Sequence, residues 1–240
     1  MAPFWRGPTN PDDPAPFADR AAAGRAIAER LAHAGAMDDL MATGARPVVL
    51  GIPRGGIAVA SEVARLLGAE LDVIVAHKVG APGEPELALG AVAAGGAILI
   101  EPWALDAGLI DEASFALEAQ AELARARARE MLLRRNRPAI VLDGRTVIVV
   151  DDGMATGATM HVAVVAVRSA GARRIVVAVP VASDEAVAMI RLVADAVVAV
   201  VVPKYLRSVG EWYRHFTQVD DEEVAAFLSE AGAAADPAAG

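Results

Sequence analysis

The chain has 240 residues, of which 55% are hydrophobic and only 4% aromatic, with a formal net charge of −9. That is enough apolar material for one α/β domain with a core of Ala, Val, Leu and Ile, which excludes global disorder. The acidic balance argues against general binding to nucleic acid or to an anionic membrane, and the lack of any cysteine excludes disulfides, thiolate metal sites and cysteine nucleophiles.

Residues 1–16 are rich in proline and should be irregular. They contain no apolar h-region. The longest apolar stretches, such as Ala196–Pro203, are strand-sized, whereas a spanning helix needs ~20 residues. A cytoplasmic protein that makes no membrane contact is therefore expected. One helix is predicted between Phe17 and about Met41. Pro47–Ile52 reads as a strand, and Ile57–Leu67 as a helix stopped by Gly68. Leu71–His77 reads as a second strand, Gly80–Glu86 as a loop, and Leu87–Ala93 with Ala97–Ile100 as a hairpin around Gly95-Gly96. Asp111–Arg135 lacks Gly and Pro and is a long helix. Val147–Val150, Arg174–Val179 and Ala196–Val202 are strands. Between them lie helices at Ala158–Ala170, ending at Gly171, and at Asp184–Leu192.

Strands that are apolar throughout and separated by helices predict an α/β fold with an open, mainly parallel twisted sheet flanked by helices. The expected plan is an irregular segment 1–16, a core over 17–202, a smaller C-terminal segment over 203–230, and a frayed tail over 231–240.

The chemistry concentrates in Val147-Ile148-Val149-Val150-Asp151-Asp152-Gly153-Met154-Ala155-Thr156-Gly157-Ala158-Thr159. A buried strand runs into two carboxylates, then a loop of small residues, then a helix. Ligands of open parallel sheets bind at the carboxyl ends of the strands. Small residues let backbone N–H groups converge, and the helix N-terminus adds its dipole, which suits a phosphate monoester. Thr156 and Thr159 add hydroxyls. Two carboxylates beside a phosphate site suit sugar hydroxyls, or a Mg²⁺ that itself holds phosphate oxygens. Together these describe a ribose-5-phosphate pocket; the plain alternative is a strand-to-helix turn with an N-cap. No GxxxxGK[ST] loop occurs in the chain.

The stretch VIVVDDGMATGAT closely resembles the fingerprint of type I phosphoribosyltransferases. The resemblance implies that Asp151 and Asp152 hold the ribose hydroxyls. It assigns the 5′-phosphate to Ala155, Thr156, Gly157, Ala158 and Thr159. Gly51-Ile52-Pro53-Arg54-Gly55-Gly56 also joins a strand to a helix, and Gly55 and Gly56 would let the backbone approach a ligand while Arg54 forks onto an anion. It looks like the family's pyrophosphate loop; a plain turn with a surface arginine is the other reading. Lys78 follows the next strand and can neutralise pyrophosphate, or it is a solvated lysine.

The segment Val202–Phe216 is similar to the family's hood, a small subdomain over the acceptor base. Lys204 and Tyr205 match the order of a lysine at an exocyclic oxygen and a stacking ring. Trp212, Tyr213 and Phe216 read as hood core. The wider resemblance, from about Phe17 to Leu228, is to a bacterial subgroup of predicted phosphoribosyltransferases with a WYxDF-like segment, where His215 replaces the acid.

The implied activity is transfer of a phosphoribosyl group from phosphoribosyl pyrophosphate, with Mg²⁺, to a small-molecule nitrogenous acceptor. Asp152, Arg54 and Lys78 would serve catalysis, and Asp151 with Asp152 would serve the metal. The acceptor reads as purine-like from Lys204-Tyr205, and a homodimer is the default for the fold. A non-catalytic regulator that binds the same metabolite is the alternative. A haloacid-type phosphatase would need DxD where this chain has DD.

Overall fold

A computed structural model describes residues 16–33, 46–81, 84–135 and 137–235. Helix α1 (Arg20–His33) is followed by β1 (Val48–Gly51), α2 (Gly55–Leu67) and β2 (Glu70–Val73). Then come β3 (Ala76–Ala81), β4 (Glu84–Ala93), β5 (Ile98–Ile100), α3 (Pro102–Asp106) and α4 (Glu112–Leu133). The chain continues through β6 (Thr146–Val150), α5 (Ala158–Ser169), β7 (Arg174–Val181), α6 (Asp184–Ile190) and β8 (Ala196–Val201). A 3₁₀ turn (Gly210–Trp212) and α7 (Asp221–Ala235) complete it.

Five strands form one sheet in the order β2-β1-β6-β7-β8, and every pairing in it is parallel. β6 shows why the strands are apolar without alternation. Val147, Ile148, Val149 and Val150 are all fully buried. Val147 and Val149 pack with Met160, Ala163 and Val167 of α5. Ile148 and Val150 point the other way, into a layer shared with Ile27 of α1, Ile57 of α2 and Leu228 of α7. Successive residues of a strand face opposite sides, so a sheet covered on both faces needs an apolar residue at every position. Each such side chain contributes roughly 1.5–3 kcal/mol by leaving water.

The helices read as amphipathic stripes. In α2, Ile57, Ala60 and Ala64 are buried, at the spacing that puts them on one face. It stops at Gly68, whose φ of 60° is open to glycine and whose N–H reaches back to Ala64. In α4 the buried residues include Phe115, Ala119 and Leu123, and the Asp111 side chain caps the start by accepting from the Ser114 N–H at 2.8 Å.

The region after β2 departs from expectation. Leu71–His77 is not one strand, because the chain leaves the parallel sheet after Val73 and re-enters β3 in a separate antiparallel sheet, β3-β4-β5. An unbroken apolar run carries no mark of where one sheet gives way to another. Of the predicted loop Gly80–Glu86, Gly80 and Ala81 belong to β3 and residues 84–86 to β4, while residues 82–83 lie outside the described residues. The hairpin around Gly95-Gly96 is present, closed by the Gly96 N–H on the Ala93 carbonyl at 2.8 Å. This small sheet encloses its own core of Val79, Leu89, Ile110, Phe115 and Leu123 with α3 and α4.

Arg134, at the basic end of α4, is not available to a ligand. Its Nε donates to Asp72 at 2.8 Å, Nη2 to the Val73 carbonyl at 2.8 Å, and Nη1 to Glu130. Asp72, buried in β2, also accepts from the backbone of Val73 and Ile140. The cluster fastens α4 and the segment before β6 to the sheet edge.

Helices α3 and α7 are additions to the predicted elements. α7 lays Val224 and Leu228 onto the same layer as α1 and α2, and its helix continues through residues 231–235, which were expected to fray. The end of the predicted N-terminal helix beyond His33 lies outside the described residues, as do residues 1–15 and 236–240.

Candidate functional site

Strand order locates the site. From β1 the chain moves outward to β2, and from β6 it moves the opposite way to β7 and β8. The helices that follow β1 and β6 therefore pack on opposite faces of the sheet, and the loops that start them meet at a crevice on the carboxyl edge, the switch point at which parallel sheets bind ligands. Gly51 is in register with Val150, and Ile52 extends the pairing by donating to the Val150 carbonyl at 2.9 Å. Residues Pro53–Gly56 and Asp151–Gly157 thus leave the sheet side by side.

The two loops touch so closely that only glycine fits between them. A Cβ on Gly55 would lie 1.8 Å from Asp152 Oδ2, and one on Gly56 would lie 2.8 Å from both the Cα and Oδ1 of Asp151. These glycines admit the acid pair itself, a reason the sequence did not disclose. Arg54, between them and the cis Pro53–Arg54 peptide, is exposed at the start of α2.

Asp151 and Asp152 are half-buried. Asp151 Oδ1 accepts the Asp152 N–H at 2.8 Å. Burial, and then the charge of Asp152, push the Asp151 carboxyl well above its ordinary range. Burial also raises Asp152, and the guanidinium of Arg20 partly offsets this. Arg20 Nε and Nη2 both reach Asp152 Oδ2, at 3.0 and 2.9 Å. The Tyr213 hydroxyl donates to the Asp152 main-chain carbonyl at 2.6 Å. Burial, followed by the charge of Asp152, raises the Tyr213 phenol far above its usual range and keeps it a donor.

Beyond the acids, the loop is strapped to β7. The Met154 N–H donates to the Val181 carbonyl at 2.9 Å, and the Ser183 N–H to the Met154 carbonyl at 3.0 Å. Ser183 Oγ donates to the Ala155 carbonyl at 2.7 Å while also capping α6. Gly157 sits at the start of α5 with φ 82°, a turn suited to glycine, and no side chain caps the helix there. Ala155 and Thr156 are exposed, Ala158 and Thr159 half-buried, and Gly157 buried. Amides of the first turn and the Thr156 and Thr159 hydroxyls can serve an anion here.

Lys204 and Tyr205 follow β8, so they lie at the same edge of the sheet. Both are exposed, Tyr205 at 76%, and the Lys204 ammonium lies 5.3 Å from the Tyr205 ring centroid. Val209 in the same segment presses on Gly153, where a Cβ would come within 2.4 Å of it. Lys78 is a correction. It does not end a strand of the parallel sheet but lies inside β3 of the small sheet, opposite Ala91 and exposed.

Sequence reasoning missed Arg20, which lies 132 residues from Asp152. Trp212 and Tyr213 are buried with Phe17, Val181 and Val201, whereas Phe216 is partly exposed and carries Arg20 on its ring. The cluster of aromatics in a chain poor in them was the available signal.

Residues 21–202 match the phosphoribosyl transferase domain family. Two proteins of Mycobacterium tuberculosis, from strains CDC 1551 / Oshkosh and ATCC 25618 / H37Rv, carry the provisional name phosphoribosyl transferase. Each is 42% identical over 231 residues, covering 92% of this chain and 50% of the relative. The chain spans about half the length of these curated relatives. The crystal structure of TT1426 from Thermus thermophilus is similar with a TM-score of 0.75 and 48% identity, covering 89% of this chain and 98% of that one. With a family match over most of its length and relatives of this similarity, the chain belongs to the phosphoribosyl transferase domain family.

Proposed function

We propose that the chain transfers a 5-phosphoribosyl group from phosphoribosyl pyrophosphate to a nitrogenous acceptor and releases pyrophosphate. The observation that carries this reading is the seating of Gly55 and Gly56 directly against Asp152 and Asp151 at the switch point. An anion loop, an acid pair and a small-residue helix start then share one crevice, in the order that an activated sugar with a phosphate at each end requires.

In this reading Asp151 and Asp152 accept from the ribose hydroxyls, and residues Ala155–Thr159 hold the 5′-phosphate. Arg54 meets the pyrophosphate. The carbon–oxygen bond to pyrophosphate breaks with its electron pair on the leaving group, and the acceptor nitrogen bonds to the anomeric carbon and then gives its proton to water. The transition state is loose and cationic at the sugar, as in glycosyl transfer. The side chains position the partners and stabilise departing charge, and no protein nucleophile is needed. Lys78, exposed on β3 of the small sheet, would help neutralise the pyrophosphate. Lys204 beside the exposed ring of Tyr205 favours an aromatic, purine-like acceptor.

Asp151 and Asp152 offer hard carboxylate oxygens, and among the described residues no group of three or more potential ligands forms a closed metal cage. That donor set fits Mg²⁺, which keeps waters and takes substrate oxygens beside one or two carboxylates. Bound there, the ion would neutralise phosphate charge.

The test is calorimetric titration of phosphoribosyl pyrophosphate, with and without Mg²⁺, into the wild type and Asp151→Asn/Asp152→Asn. Mg²⁺-dependent binding that disappears in the variant supports the pocket. A panel of bases is then assayed for pyrophosphate release. Binding without release with any base would mark a regulator, and absence of binding by the wild type would withdraw the reading.

A further inference from the structure

Asp152 is held from outside both loop motifs. The segment before α1 pairs with the stretch after the 3₁₀ turn: Phe17 bridges Tyr213, Arg214 N–H donates to the Phe17 carbonyl at 2.9 Å, and His215 N–H to the Ala18 carbonyl at 3.0 Å. This clip delivers Arg20, the first residue of α1, into the crevice. Its guanidinium is fixed on three sides. The Phe216 ring lies 4.0 Å from it, Nη1 donates to the Thr217 carbonyl at 2.7 Å, and Nε and Nη2 converge on Asp152 Oδ2. The Arg20 side chain is only 11% exposed and that of Asp152 17%.

Resting on the reading of Asp152 as a ribose ligand, we propose that Arg20 is a positioning residue for the sugar. Clamped to an aromatic face and a carbonyl, it fixes where the Asp152 carboxylate points. Because both of its contacts fall on Oδ2, the other oxygen, Oδ1, is the one left to accept from a ribose hydroxyl. A lysine cannot substitute, since a single ammonium does not reproduce a planar fork that stacks and donates in two directions. The missing Cβ at Gly55 completes the arrangement, for it is the space that the Arg20–Asp152 contact fills.

The experiment measures affinity for phosphoribosyl pyrophosphate with Mg²⁺ by calorimetry in the wild type, Arg20→Lys, Arg20→Ala, Asp152→Asn and Arg20→Ala/Asp152→Asn. A melting curve for each confirms folding, and Arg20→Lys decides the matter if Arg20→Ala does not fold. Loss of a hydrogen bond to a charged group predicts affinity roughly 10- to 100-fold weaker in either Arg20 variant. Because Arg20 acts through Asp152, the double variant should bind no more weakly than Asp152→Asn alone. Added methylguanidinium should restore part of the affinity of Arg20→Ala and none in the double variant, which a purely structural role would not produce. Wild-type affinity in folded Arg20→Lys, or losses that add in the double variant, would overturn the proposal while leaving the ribose reading standing. Unchanged affinity in Asp152→Asn, or a folded wild type that takes no ligand, would remove the ribose reading and this proposal with it.

Discussion

Replacing Gly55 by alanine would place a methyl group 1.8 Å from Asp152 Oδ2, 2.7 Å from its Cγ and 2.9 Å from Arg20 Nε. Ordinary carbon–oxygen contact is about twice the shortest of these distances, so the carboxylate must turn away by more than an ångström. It sits at the end of a strand buried on both faces and cannot move with its backbone. Rotation therefore breaks the Arg20–Asp152 pair. Splitting a buried ion pair costs about 3–5 kcal/mol, and the residual exposure of these two side chains argues for the lower end, about 3 kcal/mol. For a chain of this length that corresponds to a melting temperature lower by about 6–12 °C. Differential scanning calorimetry and urea unfolding measure it directly. Gly68→Ala is the control: its Cβ meets nothing within 4 Å, and only its φ of 60° is unfavourable, costing roughly 1–2 kcal/mol. A Gly55→Ala protein as stable as the wild type, with ligand affinity intact, would refute the packing argument at the switch point.

Asp151 should oppose stability above the acid range. Its folded-state pKa lies above the ordinary value of 3.8, so between the two values the folded chain holds the proton that the unfolded chain releases. Its favourable contribution is complete below the unfolded value and is lost as pH rises through the folded one. Urea midpoints across that range should fall for the wild type and fall less for Asp151→Asn, which should be the more stable protein near neutrality while losing the ligand. Tyr213→Phe keeps the ring but removes the donor to the Asp152 carbonyl; leaving that acceptor unpaired should cost about 1–3 kcal/mol in chemical denaturation. Arg134→Ala strands the buried Asp72 and should destabilise by about 3–5 kcal/mol. Its affinity for phosphoribosyl pyrophosphate should stay unchanged in calorimetry, since Arg134 faces Asp72 and Glu130 and not the crevice.

The sequence by itself determined the parallel sheet, because Val147–Val150 and Ile175–Val179 can be apolar at every position only if both faces are covered. It also determined the order strand, acid pair, small loop and helix around Asp151 and Asp152, since local pattern and turn chemistry act over a few residues. Only tertiary structure decided the rest. That β1 and β6 are neighbours follows from strand order, which no local pattern encodes, and with it the contact of Gly55 with Asp152. Lys78 left the parallel sheet because β3 pairs antiparallel with the strand that follows it, β4, a choice of partner that an apolar run does not display. The run of aromatics announced that residues 212–216 pack against something. That Phe216 stacks on Arg20, and that Arg20 reaches Asp152 across 132 residues, depends on both ends of the chain being brought to one sheet edge. Spacing along a chain governs helices and turns, whereas the partner of a buried charge is set by which segments the core draws together.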